Sequence, residues 1–337
     1  SVSFDPNNAG KFAVAYRDGG NSNYGTAIVG TVSGTAISFG SEYVFNSATS
    51  NYLSISFDPN TAGQFVLVYK DYGNSTYGTA IVGTVSGTAI SFGSEYVFNS
   101  ALTESTSISF DPNNAGKFVV AYRDGGNSNY GTAVAGTVSG TTISFGSEYV
   151  FNSQDSLYIS ISFDPNTAGK FVITYQDVDN SGYGTAIVGT VSGTTISFGL
   201  EYVFNSGSTS YTSMSFDPNT VGKFVVTYRD FSNSSYGTAV VGTISGTTIS
   251  FGSEYVFNSG TTYYTSISFD PSNAGKFAVS YRDVGNASYG TAIAGTVYSN
   301  STNLTATNFV GISDGAYLTT ETATIAIQGG LSTNQTG

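Results

Sequence analysis

The sequence predicts an all-β protein, a six-bladed β-propeller of 53-residue, four-stranded blades with a short C-terminal β extension. Three observations predict it. The phrase Ser-[Val/Ile/Met]-Ser-Phe-Asp-Pro returns with its Phe at 4, 57, 110, 163, 216 and 269, always 53 residues on and without insertion. A strict period of that size marks a solenoid, an array or a propeller. Each period holds four runs rich in β-branched and aromatic residues, separated by clusters of Gly, Asn, Asp and Pro that read as turns. The second run is apolar at consecutive positions whereas the fourth alternates, so the unit has a middle buried on both faces and a half-exposed last strand. Blades stacked around an axis satisfy that pattern, and closure protects their edges. A two-sheet sandwich would need a polar face on every strand.

Taken in order, run a is "SISFD" (54–58), followed by the turn "PNTAG". Asp5 and its counterparts stand before Pro and are expected to set an Asx-type turn. Run b is "KFVVAYR" (117–123), ended by "DGGNSN", where the Asp18-type residue is expected to bond back to the loop. Run c, "YGTAIVGTV" (24–32), leads through "SGT" into run d, "ISFGSEYVFN" (37–46). In run d, Ile37, Phe39, Tyr43 and Phe45 share one face, with Ser38, Gly40 and Glu42 opposite. Blades begin near 1, 54, 107, 160, 213 and 266, and the propeller spans 1–313. The sixth unit lacks run d. Residues 303–312, "NLTATNFVGI", are expected beside run c at 289–297, because that strand would otherwise be an exposed edge. Residues 314–337, with "ATIAIQGG", are expected to form a β segment leading to a further domain. The chain opens inside the repeat at Ser1 and reads as a portion of something longer, so targeting signals are not observable.

Composition narrows function. Net charge is −12 with 9% charged residues, which argues against a nucleic-acid groove or an anionic membrane surface. No apolar run approaches the roughly 20 residues of a membrane helix. With no His and no Cys, nucleophilic triads and zinc centres are excluded. A carboxylate-pair polysaccharide-degrading enzyme is the enzymatic alternative. Seventeen of the 22 acidic residues are repeat positions of the Asp5, Asp18 and Glu42 types, which read as blade structure, with Arg17 and Glu42 as rim charges. Only Glu104, Asp155, Asp179, Asp314 and Glu321 break the pattern; Glu104, Asp155 and Asp179 could form a local acidic patch, with solvated loops as the preferred reading. Asp177, Asp179 and Asn180 offer oxygens for Ca²⁺, but a solvated loop is the preferred reading. The expectation is a non-enzyme with no metal and no cofactor.

What varies is the slot between runs d and a ("SATSNYLSI", "SALTESTSI", "SQDSLYISI", "SGSTSYTSM", "SGTTYYTSI") and the turn between b and c. In an up-down-up-down blade these two segments emerge on one side, and the nearly unchanged a–b and c–d turns on the other. Of 25 Tyr, eight stand outside the repeated positions; Tyr52, Tyr158, Tyr211, Tyr263 and Tyr264 lie in d–a slots and Tyr72 in a b–c turn. Tyr among Ser, Thr, Asn and Gly is the composition of an adaptable binding surface. It also suits sugars, whose C–H faces stack on rings while their hydroxyls find polar partners. These six tyrosines are the candidate ligand-binding residues.

The unit "SFDPNNAGKFVVAYRDGGNSNYGTA" with "VSGTTISFGSEYVFNS" resembles repeats of virion proteins of marine bacteriophages, tail-fibre-like proteins of cyanophages among them. The resemblance covers residues 1 to about 297, and "TNFVGISDGAYLTTETATIAIQGG" (307–330) looks like segments that follow such repeats. It implies a place on the virion exterior, with other fibre subunits as neighbours and a homo-oligomer allowed, and it supplies no catalytic residues. Joined to the tyrosine pattern, it suggests a non-enzymatic virion-surface propeller that binds host cell-surface glycan. The alternatives are a structural spacer without a ligand and the enzyme above.

Overall fold

The computed structural model describes residues 1–298, 309–311, 324–325 and 333–334. Apart from a 3₁₀ turn at Tyr72–Asn74, the regular structure described is β, in antiparallel sheets of repeated units of about 53 residues. In the first repeat, a is Val2–Phe4, b is Lys11–Asp18 and c is Tyr24–Ser33. Runs d and a, expected as separate strands joined by a loop, are one 22-residue strand, Ala36–Phe57. The same fusion gives Thr142–Phe163 and Thr195–Phe216. In the second repeat the run stops at Asn99 and resumes at Thr103. The first part of Ala36–Phe57 pairs with strand c of its own repeat, through Tyr24↔Thr49. The second pairs with strand b of the next, from Ser50↔Asp71 to Phe57↔Phe65. The slot is therefore a strand that changes partners. Its backbone groups are satisfied on both sides of the change, which a loop would leave to water.

The chain divides into two compact units, Ser1–Ile173 with Gly189–Phe198, and Thr174–Val188 with Gly199–Gly337. In the first, Ala13, Ala15, Ala27 and Val29 of repeat 1 pack on Leu67, Tyr69 and Ile81 of repeat 2. Val66, Val68, Ala80 and Val82 on the other side of repeat 2 pack on Val120, Tyr122 and Val134 of repeat 3. Phe118 to Tyr122 are all buried, as their unbroken apolar run predicts. Each such Phe or Val side chain stabilises by about 1.5–3 kcal/mol when taken fully out of water. In the second unit, Val225, Ala239 and Val241 of repeat 5 pack on Phe277, Val279 and Tyr281 of repeat 6.

The first and sixth repeats differ from the rest. Phe4 and Ile37 of repeat 1 are 57% and 58% exposed, whereas their counterparts Phe57 and Ile90 are both 5% exposed. In repeat 6, strand Lys276–Asp283 alternates, with Phe277, Val279 and Tyr281 buried and Ala278 and Ser280 exposed. The sixth c strand gains a partner where the sequence places one: Phe309–Gly311 pairs antiparallel with it, Gly295↔Phe309 repeating Gly30↔Phe39. The rest of 303–312 lies outside the described residues. So does 314–337, except for the two-residue strands Thr324–Ile325 and Thr333–Asn334, which pair with each other.

The Asp5-type carboxylates are joints. Asp111 Oδ1 accepts from Asn113 N at 2.9 Å, the expected Asx turn, while Oδ2 accepts from Gly169 N of the next repeat at 2.9 Å. Asp5 does the same with Asn7 N and Gly63 N. An acid that bonds backbone donors in two repeats is occupied structurally.

Candidate ligand-binding edge

Backbone hydrogen bonds bring the two rewritten segments together. Ser50 N donates to Asn23 O, Thr103 N to Thr76 O and Thr262 N to Ser235 O, each tying a slot to the preceding b–c turn. The unchanged turns meet at the opposite end, where Val32 N donates to Gly10 O and Val138 N to Gly116 O. The Asp18-type carboxylate shapes the variable end. Asp124 Oδ1 accepts from Gly126 N of its own turn at 2.9 Å and from the buried Asn99 Nδ2 at 3.0 Å. Sequence variation thus collects on one edge of each unit.

At this edge Tyr52, Tyr158, Tyr211 and Tyr264 adopt left-handed backbone, with φ of 51°, 51°, 54° and 54°, and Ser105 takes φ 50° at the same position of the remaining slot. Each of the corners at Tyr52, Ser105, Tyr211 and Tyr264 coincides with a register shift, as between Asn51 and Ser54 or Tyr263 and Ser266. These are β-bulges, which bend a strand and re-aim a side chain. Left-handed backbone costs a non-glycine residue about 1–2 kcal/mol. A hydroxyl of the next repeat braces two of the corners: Thr106 Oγ1 donates to Tyr52 O, and Thr265 Oγ1 to Tyr211 O. Tyr52 and Tyr264 are exposed, and Tyr158 and Tyr211 half-buried.

In the first unit, Tyr52 and Tyr72 gather around Lys70, whose Nζ lies 5.7 Å and 5.0 Å from their ring centroids, within cation–π range. Burial, and then the charge of Glu104, raises the Tyr52 hydroxyl above its ordinary pKa. Lys70 Nζ also meets Glu104 Oε1 at 3.1 Å. The second oxygen of Glu104 accepts from Arg123 Nη1, and Arg123 grips Asp155 with Nε and Nη2 at 2.7 and 2.9 Å. This ladder replaces both the acidic patch and the solvated-loop reading of Glu104 and Asp155. Glu104 and Asp155 do meet, but across Arg123, because antiparallel pairing sets Glu104 opposite Arg123. Their oxygens are taken by cations and do not face a substrate as a bare pair. Asp179 belongs to the other unit, in an exposed turn.

The second unit holds Tyr211, Tyr263 and Tyr264 together, with ring centroids 5.5 Å (211–263), 4.9 Å (211–264) and 6.0 Å (263–264) apart. Arg229 is stacked between Phe231 and Tyr263, its Cζ 4.0 and 4.4 Å from their centroids, and Arg282 lies 5.5 Å from Tyr263. These cations, like Lys70 and Arg123, occupy the Arg17 position that the sequence marks only as a rim charge. The signal that finds them is register: a residue just before the Asp that ends strand b must pair with the slot. Asp177 is buried at the end of Lys170–Asp177, and Asp179 and Asn180 are exposed beyond it. Among the described residues no group of three acidic side chains is gathered for a metal.

Glu42-type residues are not free rim charges either. Tyr16 donates its hydroxyl to Glu42, and Tyr69 to Glu95 at 2.6 Å. On the unchanged edge of the first unit, a hollow of about 260 Å³ is lined by Asp111, Asn114, Lys117, Gly169 and Val191. It surrounds the Asp111–Gly169 joint and lies away from the tyrosines.

The fold and this edge define an all-β repeat protein with an aromatic, cation-bearing margin. No protein-family model matches the sequence, and no curated protein sequence matches it. Among solved structures the chain is similar to the crystal structure of Sqt1 from Chaetomium thermophilum, with 11% identity, a TM-score of 0.48, and coverage of 84% of this chain and 80% of that one.

Proposed function

We propose that the chain is a non-enzymatic, six-bladed propeller on the exterior of a virion, a tail-fibre component that binds host-surface glycan through its tyrosine-bearing edge. The observation that carries the binding reading is the backbone at Tyr52, Tyr158, Tyr211 and Tyr264. A position free to drift would settle on Gly or Asn, which tolerate left-handed backbone. Tyrosine at four such corners is a local cost, and strain of this kind collects where side chains must be presented to a ligand. Several weak sites on one chain suit a repetitive polysaccharide, since avidity multiplies modest affinities. The test is a glycan array probed with the whole chain and with a variant carrying Tyr→Ser at 52, 158, 211 and 264. Binding by the parent and its loss in a folded variant is expected; no binding to any host-derived glycan overturns the reading.

The propeller part rests on the strict 53-residue period; the sheets described do not close on themselves. Repeat 1 leaves bare the face that repeats 2 and 3 bury, and repeat 6 leaves bare the opposite one. A closed ring would cover both, and an open array leaves them bare. Small-angle scattering separates a flat ring from a longer open array.

A spacer that contacts neighbouring virion subunits is the second reading. It is favoured by the exposed Val2, Phe4, Ile37 and Phe39 of repeat 1, an apolar patch of the kind that marks interaction surfaces. Attachment unchanged in the four-tyrosine variant would select it.

A further inference from the structure

The two units treat the same repeat position differently. In the first, Arg123 stands opposite Glu104 in the strand register and is paired with it and with Asp155. In the second, Arg282 stands opposite Tyr263, and Arg229 opposite Ser210. The seat that holds a carboxylate in repeat 3 holds a ring in repeat 6; Thr261 fills beside Arg229 the seat that Asp155 takes beside Arg123, and the counterpart for Arg282 lies outside the described residues. Among the described residues no carboxylate forms an ion pair with Arg229 or Arg282.

Both guanidinium groups lie against one ring, 4.4 and 5.5 Å from the Tyr263 centroid, and so are at most about 10 Å apart. Each has five N–H donors. Arg229 gives one to Ser235 Oγ at 3.0 Å and Arg282 one to Ser288 Oγ at 3.2 Å, while the buried Nε of Arg229 has no hydrogen-bond partner. Contact with both Phe231 and Tyr263 restrains the Arg229 guanidinium, so less freedom is lost when an anion is gripped. Two like charges with spare donors stand beside three tyrosines, and among the described residues no anion faces them.

We propose that this cluster of the second unit is a binding site for an acidic saccharide, one bearing carboxylate or sulfate. The proposal rests on the saccharide-binding reading above and narrows it. Arg282, which is exposed, and the free edge of Arg229 take the anionic group as a fork, and Tyr211 and Tyr264 supply rings for the sugar's C–H face. The net charge of −12 does not oppose this at close range, because fields are screened beyond about 8 Å at physiological salt. It does disfavour a long polyanion such as nucleic acid, whose affinity rests on many phosphate contacts.

The test is calorimetric titration of the full chain with oligogalacturonate, its neutral methyl ester, dextran sulfate oligomers and dextran. The acidic probes should bind at least tenfold more tightly than their neutral counterparts, and increasingly weakly from 50 to 500 mM NaCl. Oligogalacturonate ahead of dextran sulfate assigns the fork to carboxylate, and the reverse order to sulfate. Arg282→Gln, at an exposed position, should remove most of the preference without altering the unfolding midpoint. Arg229→Gln, which also removes contact with Phe231 and Tyr263, serves as the second variant and should lower the preference in a chain that still unfolds cooperatively. Equal binding of acidic and neutral probes, or a preference that survives both substitutions, overturns the acidic-ligand proposal and leaves saccharide binding standing. If no saccharide binds, acidic or neutral, on these titrations and on the array, the underlying reading falls with it.

Discussion

Tyr122 is wholly buried, yet its hydroxyl reaches Glu148 Oε1 at 2.6 Å, a bond repeated between Tyr69 and Glu95, Tyr175 and Glu201, and Tyr228 and Glu254. Burial, and then the adjoining glutamate, holds all four hydroxyls well above the ordinary tyrosine value of 10.0. Tyr281 is pushed up to about 12 by burial and Asp283. Below pH 10 these groups are protonated in both folded and unfolded chains and add no pH dependence. Above it the unfolded chain releases protons that the folded chain keeps, so stability falls as pH rises. Each group contributes a slope of about 1.4 kcal/mol per pH unit, or about 5 to 6 for the four wholly buried ones. Denaturant midpoints between pH 9 and 11 should show this loss, and Tyr122→Phe should reduce the slope by one group's worth. An unchanged slope in that variant would mean Tyr122 ionises in the folded state.

Phe118 covers Gly136 directly across the strand pair, and a Cβ built on Gly136 would stand 2.1 Å from the ring's Cζ. Gly136→Ala is therefore expected to destabilise by about 2 kcal/mol or more, through overpacking in a site buried on both faces. Urea unfolding measures it, and adding Phe118→Leu should recover part of the loss. A neutral Gly136→Ala would show that the ring can move aside.

Tyr52→Gly should leave stability unchanged or raise it by up to about 1 kcal/mol. Relief of the left-handed backbone is offset in part by glycine's greater freedom in the unfolded chain. The same substitution should weaken glycan attachment. A melting temperature lowered by several degrees would identify Tyr52 as a packing residue instead.

A double-mutant cycle on Arg123→Gln and Asp155→Asn should give a coupling of about 1–3 kcal/mol, because the pair is bidentate and largely shielded from water. Exposed ion pairs give about 0.2–1 kcal/mol. Since Glu104 shares Arg123, a third substitution, Glu104→Gln, should change the coupling. Additivity among the three would contradict the ladder.

Much of the fold was legible because repetition turns one pattern into six independent readings. The unbroken apolar run Phe118–Tyr122 announced a strand buried on both faces, and it is one. The Asp before Pro announced its turn, and Asp111 makes it. From sequence the slot reads as a loop, because its Ser, Thr and Asn look like turn residues locally. Its strand character depends on partners that lie on either side of a bulge, in two different repeats.

The sequence by itself determined the period, the β class and the confinement of variation to two segments, because hydrophobic alternation and turn chemistry act over a few neighbouring residues. Tertiary structure alone decided what those segments do. It set Arg123 between Glu104 and Asp155, and Arg229 against Tyr263, contacts that span 19 to 34 residues of chain. Charge compensation is a property of distances across paired strands. A one-residue change of register would reverse every one of those facings, and register is settled by the core and its bulges rather than by the charged residues themselves.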